Sequence, residues 1–258
     1  MKPLILMYHS VAADKPLDPY GVSIKQLEEH IICLMSQGFR FISLADYFQS
    51  GTPTSTQSEG KRVVLTFDDG YQDFLINALP VLISYRVPAS VFLVVDMLGK
   101  TSTWNKYARE AQLMTELEVS RVRAEGMSLG SHTLTHADLT TLDDEELKRQ
   151  LITSRKMLGD LGEIFFPFSY PWGRYAMREV EAVKAAGYDC AVIASETTER
   201  FRMEPFTLGR LAMHRDMTSE DFEHTLIHQR WPKKSTSRIL EIIRQVQRKL
   251  LLLTQARN

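Results

Sequence analysis

Two adjacent carboxylates and a spaced pair of histidines are the residues of this chain whose types and spacing could perform chemistry. Asp68 and Asp69 follow an apolar run, and His132 and His136 stand at positions i and i+4. Adjacent buried carboxylates repel each other unless a cation or a proton compensates them. One carboxylate and two imidazoles can bind a metal ion and leave positions open for water and substrate, which is typical of a catalytic metal site. The alternative is a solvated Asp-Gly turn and a structural histidine pair.

Both chemical segments are predicted to follow strands. The Val-Val-Leu run at 63–65 predicts a buried parallel strand that ends at Asp68. The short apolar segment 127–130 predicts another strand directly before His132. Because ligand and catalytic groups of α/β folds lie at the carboxyl ends of strands, we expect the two segments to meet there. The histidine spacing predicts that His132 and His136 share one face of a helical turn.

The pattern along the chain predicts a parallel α/β fold. Strands alternate with helices in roughly seven units, which favours a closed or nearly closed barrel over an open doubly wound sheet, although periodicity alone leaves both open. Ser23 and Gln26 form a predicted capping box at the first helix, and Pro80 predicts a kink or break in the helix after Asp69. We assign residues 1–230 to the barrel and 231–258 to a basic amphipathic C-terminal helix.

Composition excludes some functions. A formal net charge of −1 over 258 residues argues against a general nucleic-acid binder. The distant Cys33 and Cys190 have no metal-site spacing and are expected to be buried thiols. The start does not read as a signal peptide and no segment is long enough to span a membrane, so we expect a cytoplasmic protein. The basic tail is predicted either to pack on the barrel or to make peripheral contact with the inner face of the membrane.

The same segments resemble the motifs of a known enzyme family. Thr-Phe-Asp-Asp-Gly at 66–70 and Ser-His-Thr-Leu-Thr-His at 131–136 resemble, in order and separation, the first two motifs of the polysaccharide deacetylases (the NodB-homology family, carbohydrate esterase family 4). Leu-Met-Tyr-His-Ser-Val at 6–11 and Phe-Ser-Tyr-Pro-Trp-Gly at 168–173 resemble the poly-N-acetylglucosamine deacetylase branch. The resemblance covers roughly residues 4–225.

This resemblance implies a fold, a cofactor and a reaction. The implied fold is a distorted (β/α)7 barrel, and the implied cofactor is Zn²⁺ or another divalent transition metal. By resemblance, Asp69, His132 and His136 are the metal ligands and Asp68 is the general base. The implied reaction removes N-acetyl groups from an N-acetylhexosamine-containing polysaccharide or glycoconjugate precursor, so the expected partner is an N-acetylated glycan or glycolipid.

The sequence departs from the family pattern at two places. Many members have an arginine in the third motif, where this chain has Ser169. We predict that Arg210, at the end of a later strand, orients Asp68 in its place. The family often uses a late histidine as general acid, and His214 is the candidate here. The residues predicted to line the substrate cleft are Tyr71, Tyr170, Pro171, Trp172 and His9, and Trp104 is a further aromatic candidate.

Two other functions fit the same residues. An O-acetyl esterase or a non-sugar amidase would keep the fold and the metal but change the substrate. A catalytically degenerate glycan-binding barrel would explain Ser169 and the absence of a clear acid motif. A panel of acetylated sugars and esters separates the esterase and the amidase from the deacetylase. Acetate release that is lost with a chelator and in Asp68→Asn would exclude the degenerate binding barrel.

Overall fold

A computed structural model describes residues 4–49, 60–105, 111–195 and 204–228 of the chain. The predicted C-terminal helix, residues 231–258, lies outside the described residues. Among the described helices, none combines the length and the hydrophobicity needed to cross a membrane.

Ten strands and seven α-helices follow one another along the described chain. The strands are β1 Leu4–Tyr8, β2 Val11–Ala12, β3 Val22–Ser23, β4 Arg40–Phe41, β5 Arg62–Phe67, β6 Ala89–Leu93, β7 Ser128–Ser131, β8 Pro167–Ser169, β9 Cys190–Ser195 and β10 Leu208–Ala212. The helices are α1 Ile24–Ser36, α2 Leu44–Gln49, α3 Leu79–Tyr85, α4 Glu116–Ala124, α5 Asp144–Asp160, α6 Met177–Ala185 and α7 Ser219–His228.

Seven parallel strands close into a barrel. The hydrogen-bonded order is β1-β10-β9-β8-β7-β6-β5, and β5 pairs with β1 to complete the ring. The short strand β4 adds to the start of β5, while β2 and β3 pair with each other outside the barrel. The predicted closed (β/α)7 barrel is therefore confirmed, and the open sheet is excluded.

The barrel separates two apolar layers because successive side chains of a strand point to opposite faces. Leu4 and Leu6 of β1 pack in the large cluster under the helices, whereas Ile5, between them, packs with Val64 and Phe92 in a separate cluster. Alternate residues of the strands therefore fill the interior. The site therefore lies outside this packed interior, at the carboxyl ends of the strands.

Local signals form the helices around the barrel. Ser23 and Gln26 make the predicted capping box at α1. The predicted helix after Asp69 is broken, as expected near Pro80: a π-helical turn, Phe74–Ala78, precedes α3, and Pro80 lies in the first turn of α3. That position suits proline because the first turn of a helix leaves its N–H groups without intrahelical partners.

Gly130 lets β7 approach the barrel interior closely. A Cβ built on Gly130 would lie 2.5 Å from the Phe92 ring and 3.0 Å from the carbonyl oxygen of Pro167. We expect Gly130→Ala to lower the free energy of unfolding by about 1–3 kcal/mol, because overpacking displaces the ring or a strand. Urea unfolding measures this change.

Gly159 provides the control because it lies in α5, where an added Cβ would meet the Phe166 ring at an ordinary 3.8 Å. Gly159→Ala should raise the free energy of unfolding by roughly 0.5–1 kcal/mol. Equal unfolding midpoints for the two variants would contradict the packing assigned to Gly130.

Candidate active site

The two chemical segments meet at the carboxyl edge of the barrel. β5 ends at Phe67, immediately before Asp68, and β7 ends at Ser131, immediately before His132. β6 lies between them, and its Leu93 carbonyl accepts a hydrogen bond from the His132 backbone N–H at 2.7 Å. The structure confirms that the two segments meet at this edge, as the sequence predicts.

Asp69, His132 and His136 form a buried cluster whose candidate ligand atoms all lie within 4.8 Å of one another. Asp69 Oδ1 is 3.2 Å from His136 Nε2 and 3.6 Å from His132 Nε2. Despite these distances, Asp69 Oδ1 has no hydrogen-bond partner of good geometry among the described residues. A buried carboxylate oxygen facing two imidazole nitrogens fits a divalent metal of the zinc type.

The second nitrogen of each imidazole is held differently. His132 Nδ1 donates to the Ser169 carbonyl oxygen at 2.8 Å, which leaves Nε2 to face Asp69. Such an outer hydrogen bond fixes the tautomer and the ring orientation of a metal ligand. The Nδ1 atom of His136 is buried without a hydrogen bond among the described residues. Its ring instead stacks on Trp104, with centroids 4.6 Å apart, and meets the edge of Trp172.

The prediction that the two histidines share a helical turn is wrong. Residues 132–136 form turns, not a helix, and Thr133 and His136 have positive φ angles of 69° and 60°. Left-handed residues cannot continue a right-handed helix. The two imidazoles therefore converge through a tight loop, with their ring centroids 4.8 Å apart.

Asp68 faces the barrel interior and is bound by Arg210. Arg210 Nη1 and Nη2 each donate to one carboxylate oxygen at 2.7 Å, which is a bidentate contact. Ser169 Oγ donates to Asp68 at 3.1 Å and accepts from Arg210 Nη2 at 2.9 Å. Thr66 Oγ1 accepts from Arg210 Nη1 at 3.0 Å. Arg210 therefore reaches Asp68 as predicted, and Ser169 supplies a hydroxyl where the family pattern has an arginine.

These contacts set the charge of each group. Burial raises the pKa of Asp68, but Arg210, followed by the charges of His132 and His9, lowers it below its ordinary value. Burial likewise raises the pKa of Asp69, but close contact with His136 and the charges of the nearby histidines lower it overall. Burial lowers the pKa of His132 to about 4, although Asp68 acts in the opposite direction. Two carboxylates and a neutral imidazole therefore coexist at neutral pH.

The two candidate histidines outside the metal cluster follow neighbouring strands of the barrel. His9 follows β1 and lies near enough to Asp68 and Asp69 to contribute, after burial and their nearer partners, to the lowered pKa of both carboxylates. His214 follows β10 and is buried; burial lowers its pKa, while Asp216 raises it. Of these two candidates, His9 is therefore the one that acts electrostatically on Asp68 and Asp69.

The aromatic candidates divide between the cleft and the core. Trp172 is 51% exposed beside His136 and is available to a ligand. Tyr71 is buried, and its hydroxyl oxygen accepts a hydrogen bond from Asn105 at 3.2 Å. Tyr170 and Pro171 are buried in the core, and the Tyr170 hydroxyl donates to a backbone carbonyl, so neither presents a side chain to the cleft.

Sequence reasoning missed several polar residues that support the site. Asp18 accepts a hydrogen bond from Asn105, which links the loop after β2 to Tyr71. Gln150 of α5 binds the loop between the two histidines. These contacts join distant parts of the chain, and isolated polar residues carry no motif, so the sequence held no signal for them.

Comparison with known proteins identifies the family. The family described as polysaccharide deacetylase matches residues 55–191, more than half of the chain. A Bacillus subtilis (strain 168) protein named provisionally as the polysaccharide deacetylase YxkH is 27% identical over 219 residues, which are 84% of this chain and 74% of that protein. A chitooligosaccharide deacetylase of Rhizobium leguminosarum bv. trifolii is 33% identical over 95 residues, 36% of this chain and 38% of the relative.

A solved structure confirms the fold. The Streptococcus pyogenes deacetylase PplD in complex with acetate matches with a TM-score of 0.72 and 23% sequence identity. The match covers 90% of this chain and 99% of that one. At this level of identity the likeness concerns the fold.

The Asp68–Arg210 pair should dominate the stability of the barrel mouth because both groups are buried. We expect Arg210→Met to lower the free energy of unfolding by about 3–5 kcal/mol, since it leaves a buried carboxylate without its cation. Asp68→Asn should also lower the free energy of unfolding. The loss in the double variant should be about 0.5–3 kcal/mol smaller than the sum of the losses in the two single variants. Urea unfolding of the metal-free proteins measures the cycle, and additive losses would show that the two charges do not interact.

Proposed function

The chain belongs to the polysaccharide deacetylase family, and from that membership we propose that it is a metal-dependent hydrolase that removes N-acetyl groups from N-acetylhexosamine-containing glycans or glycoconjugates. The observation that carries the proposal is the buried cluster of Asp69, His132 and His136 beside a second carboxylate, Asp68. A metal site of three protein ligands suits the hydrolysis of an amide when a second carboxylate, which is not a ligand, lies next to it.

Asp69, His132 and His136 would hold the metal. When bound, a zinc-type ion supplies Lewis acidity, which polarises a carbonyl group and lowers the pKa of water. The protein's own part is to present one carboxylate oxygen and two imidazole nitrogens close together at a buried site. The hydrogen bond from His132 to the Ser169 carbonyl and the stacking of Trp104 on His136 hold the rings in place.

Asp68 is the proposed general base. Its lowered pKa keeps it ionised at neutral pH, so it is ready to accept a proton from the attacking water. The bidentate contact with Arg210 fixes the plane of the carboxylate. Asp69 differs in role because its Oδ1 faces the two imidazoles.

His9 is the proposed general acid. The leaving amine must receive a proton when the C–N bond breaks. His9 acts electrostatically on both Asp68 and Asp69, and its Nδ1 is buried with no hydrogen bond among the described residues. We propose His9 in place of His214, which acts electrostatically on His30 of α1 and not on the two carboxylates in the contributions that the structure describes.

The proposed substrate is a glycan that contains N-acetylglucosamine. The Rhizobium relative is named for chitooligosaccharides, and the segments 6–11 and 168–173 resemble the poly-N-acetylglucosamine deacetylases. The half-exposed ring of Trp172 beside His136 offers an apolar face on which a sugar ring can stack.

The purified protein should release acetate from N-acetylglucosamine oligomers. A chelator should abolish the release, and added Zn²⁺ or Co²⁺ should restore it, because the three ligands act only through a metal. Asp68→Asn should lower kcat by about 10²–10⁴-fold, the usual contribution of a general base. Acetate release measured by a coupled assay tests these expectations.

The same assay separates the competing functions. Faster acetate release from O-acetylated sugars would show that the protein is an O-acetyl esterase. Faster acetate release from non-sugar amides would show that it is a non-sugar amidase. Glycan binding without acetate release from any of these substrates would indicate a degenerate binding barrel.

His9→Gln and His214→Gln form a matched pair that identifies the acid. We expect His9→Gln to lower kcat by about 10²–10⁴-fold, because the leaving amine loses its proton donor. His214→Gln should change kcat by no more than about threefold, the effect of a small shift in packing. Thermal unfolding checks that both variants are folded, and the reverse order of the two kcat values would assign the acid to His214.

A further inference from the structure

The loop from His132 to His136, called here the histidine loop, has a backbone that must be held from outside. Thr133 has φ 69° and His136 has φ 60°. A β-branched residue at positive φ is a conformational outlier, and such residues persist only where the surroundings impose them. The contacts that impose this backbone therefore determine where the two imidazoles lie.

The carbonyl groups of the histidine loop are bound from the β6 side. Val95 and Asp96, which follow β6, donate their backbone N–H groups to the carbonyls of Thr133 and Leu134 at 3.2 and 3.1 Å. These are backbone contacts, so they do not depend on the side chain at either position. They fix one side of the loop only.

Two backbone N–H groups of the loop, those of Leu134 and Thr135, are bound by one side chain of α5. Gln150 Oε1 accepts from the backbone N–H of Leu134 at 3.0 Å and from that of Thr135 at 3.3 Å. Gln150 Nε2 donates to Thr135 Oγ1 at 3.0 Å and to Glu146 Oε1 at 2.8 Å. Gln150 is 2% exposed, so water cannot take over these bonds.

An amide is the side chain that this position requires. It offers one oxygen acceptor for two N–H groups and two N–H donors for the hydroxyl and the carboxylate. Glu146 fixes which way the amide points, and Glu146 is itself held by Arg149 through hydrogen bonds of 2.6 and 2.7 Å. The direction of the Gln150 oxygen toward the loop is therefore determined by its neighbours.

We propose that Gln150 is a positioning residue for the metal site: it holds the histidine loop in the conformation that brings His136 beside His132 and Asp69. This inference rests on the proposed metal-dependent function. Gln150 contacts none of the three ligand side chains in the hydrogen bonds that the structure describes for it, so it acts through the backbone of Leu134 and Thr135.

The two histidines should respond differently when Gln150 is removed. His132 keeps its hydrogen bond to the Ser169 carbonyl and its backbone bond to Leu93. His136 lies beyond the two N–H groups that Gln150 binds, and its Nδ1 has no hydrogen bond among the described residues. Loss of Gln150 should therefore release His136 selectively and leave Asp69 and His132 as the remaining ligands.

Gln150→Met tests the proposal because it keeps the length of the side chain and removes the acceptor and the donors. The Zn²⁺ affinity of the metal-free protein, measured by competition with a chromophoric chelator, should fall about 10- to 100-fold, as for other residues that orient metal ligands. The absorption spectrum of the Co²⁺-loaded variant should shift toward that of His136→Ala, which lacks the ligand itself. A purely structural role would lower the unfolding temperature and leave the spectrum unchanged.

Gln26→Met is the matched control. Gln26 also binds loop backbone, with Nε2 donating to the carbonyls of Arg215 and Met217 at 3.0 and 3.3 Å, but that loop carries no proposed ligand. Its Zn²⁺ affinity should stay within about threefold of the unsubstituted protein, since distant sites usually act independently.

The outcomes separate the two proposals. Unchanged Zn²⁺ affinity and an unchanged Co²⁺ spectrum in folded Gln150→Met would overturn the positioning role. An unsubstituted protein that binds Zn²⁺ no better than His136→Ala would instead overturn the metal site. If Gln150→Met does not fold, Glu146→Ala removes the contact that orients the amide from a partly exposed position; an affinity about three- to tenfold weaker supports the role, and an unchanged affinity refutes it.

Discussion

Two neighbouring carboxylates, both buried, are the constraint on which this barrel mouth depends. Asp68 and Asp69 are 3% and 5% exposed, so their charges must be compensated by protein groups or by an ion. The positive φ of Asp69, 74°, turns the chain between them, and the two side chains reach different partners. Asp68 meets Arg210 inside the barrel, and Asp69 meets two imidazoles at its edge. One charge is neutralised by a fixed cation, and the other lies beside the two imidazoles of the proposed metal site.

This arrangement concentrates backbone strain at the site. Among the described residues, the non-glycine residues with positive φ are Asp69, Thr133, His136, Trp172 and Arg86. The first four belong to the site, and Arg86 ends α3. Left-handed conformations cost free energy at residues other than glycine, so the surroundings must over-determine them. The rigid barrel, the hydrogen bonds from β6 and the residues after it, and the Gln150 amide supply that support, so the three proposed ligands already lie close together in the protein itself.

The sequence predicts most of the fold and the identity of the central residues, because these depend on local patterns. Apolar runs before Asp68 and His132 predicted strands with a common edge, and the capping box predicted the start of α1. The conformation between His132 and His136 was predicted wrongly, because the i, i+4 spacing fits both a helix and a loop held by distant residues. His9 and His214 follow β1 and β10, which are neighbours in the ring, and no local pattern distinguishes the proposed roles of the two histidines.

In this barrel the positive charge beside Asp68 comes from Arg210 on β10. In many family members the corresponding arginine lies in the third motif, where this chain has Ser169. Ser169 on β8 and Arg210 on β10 both reach Asp68, although the two strands are separated by β9. An arginine at position 169 would compete with Arg210 for the same space and the same carboxylate. The small serine leaves room for the long side chain from β10, and its hydroxyl accepts from the guanidinium and donates to Asp68. The proposed mechanism requires a cation fixed against Asp68 at one place in the barrel interior. Since inward-facing positions of several strands open onto that place, the requirement fixes the position of the charge in space and not its position in the sequence.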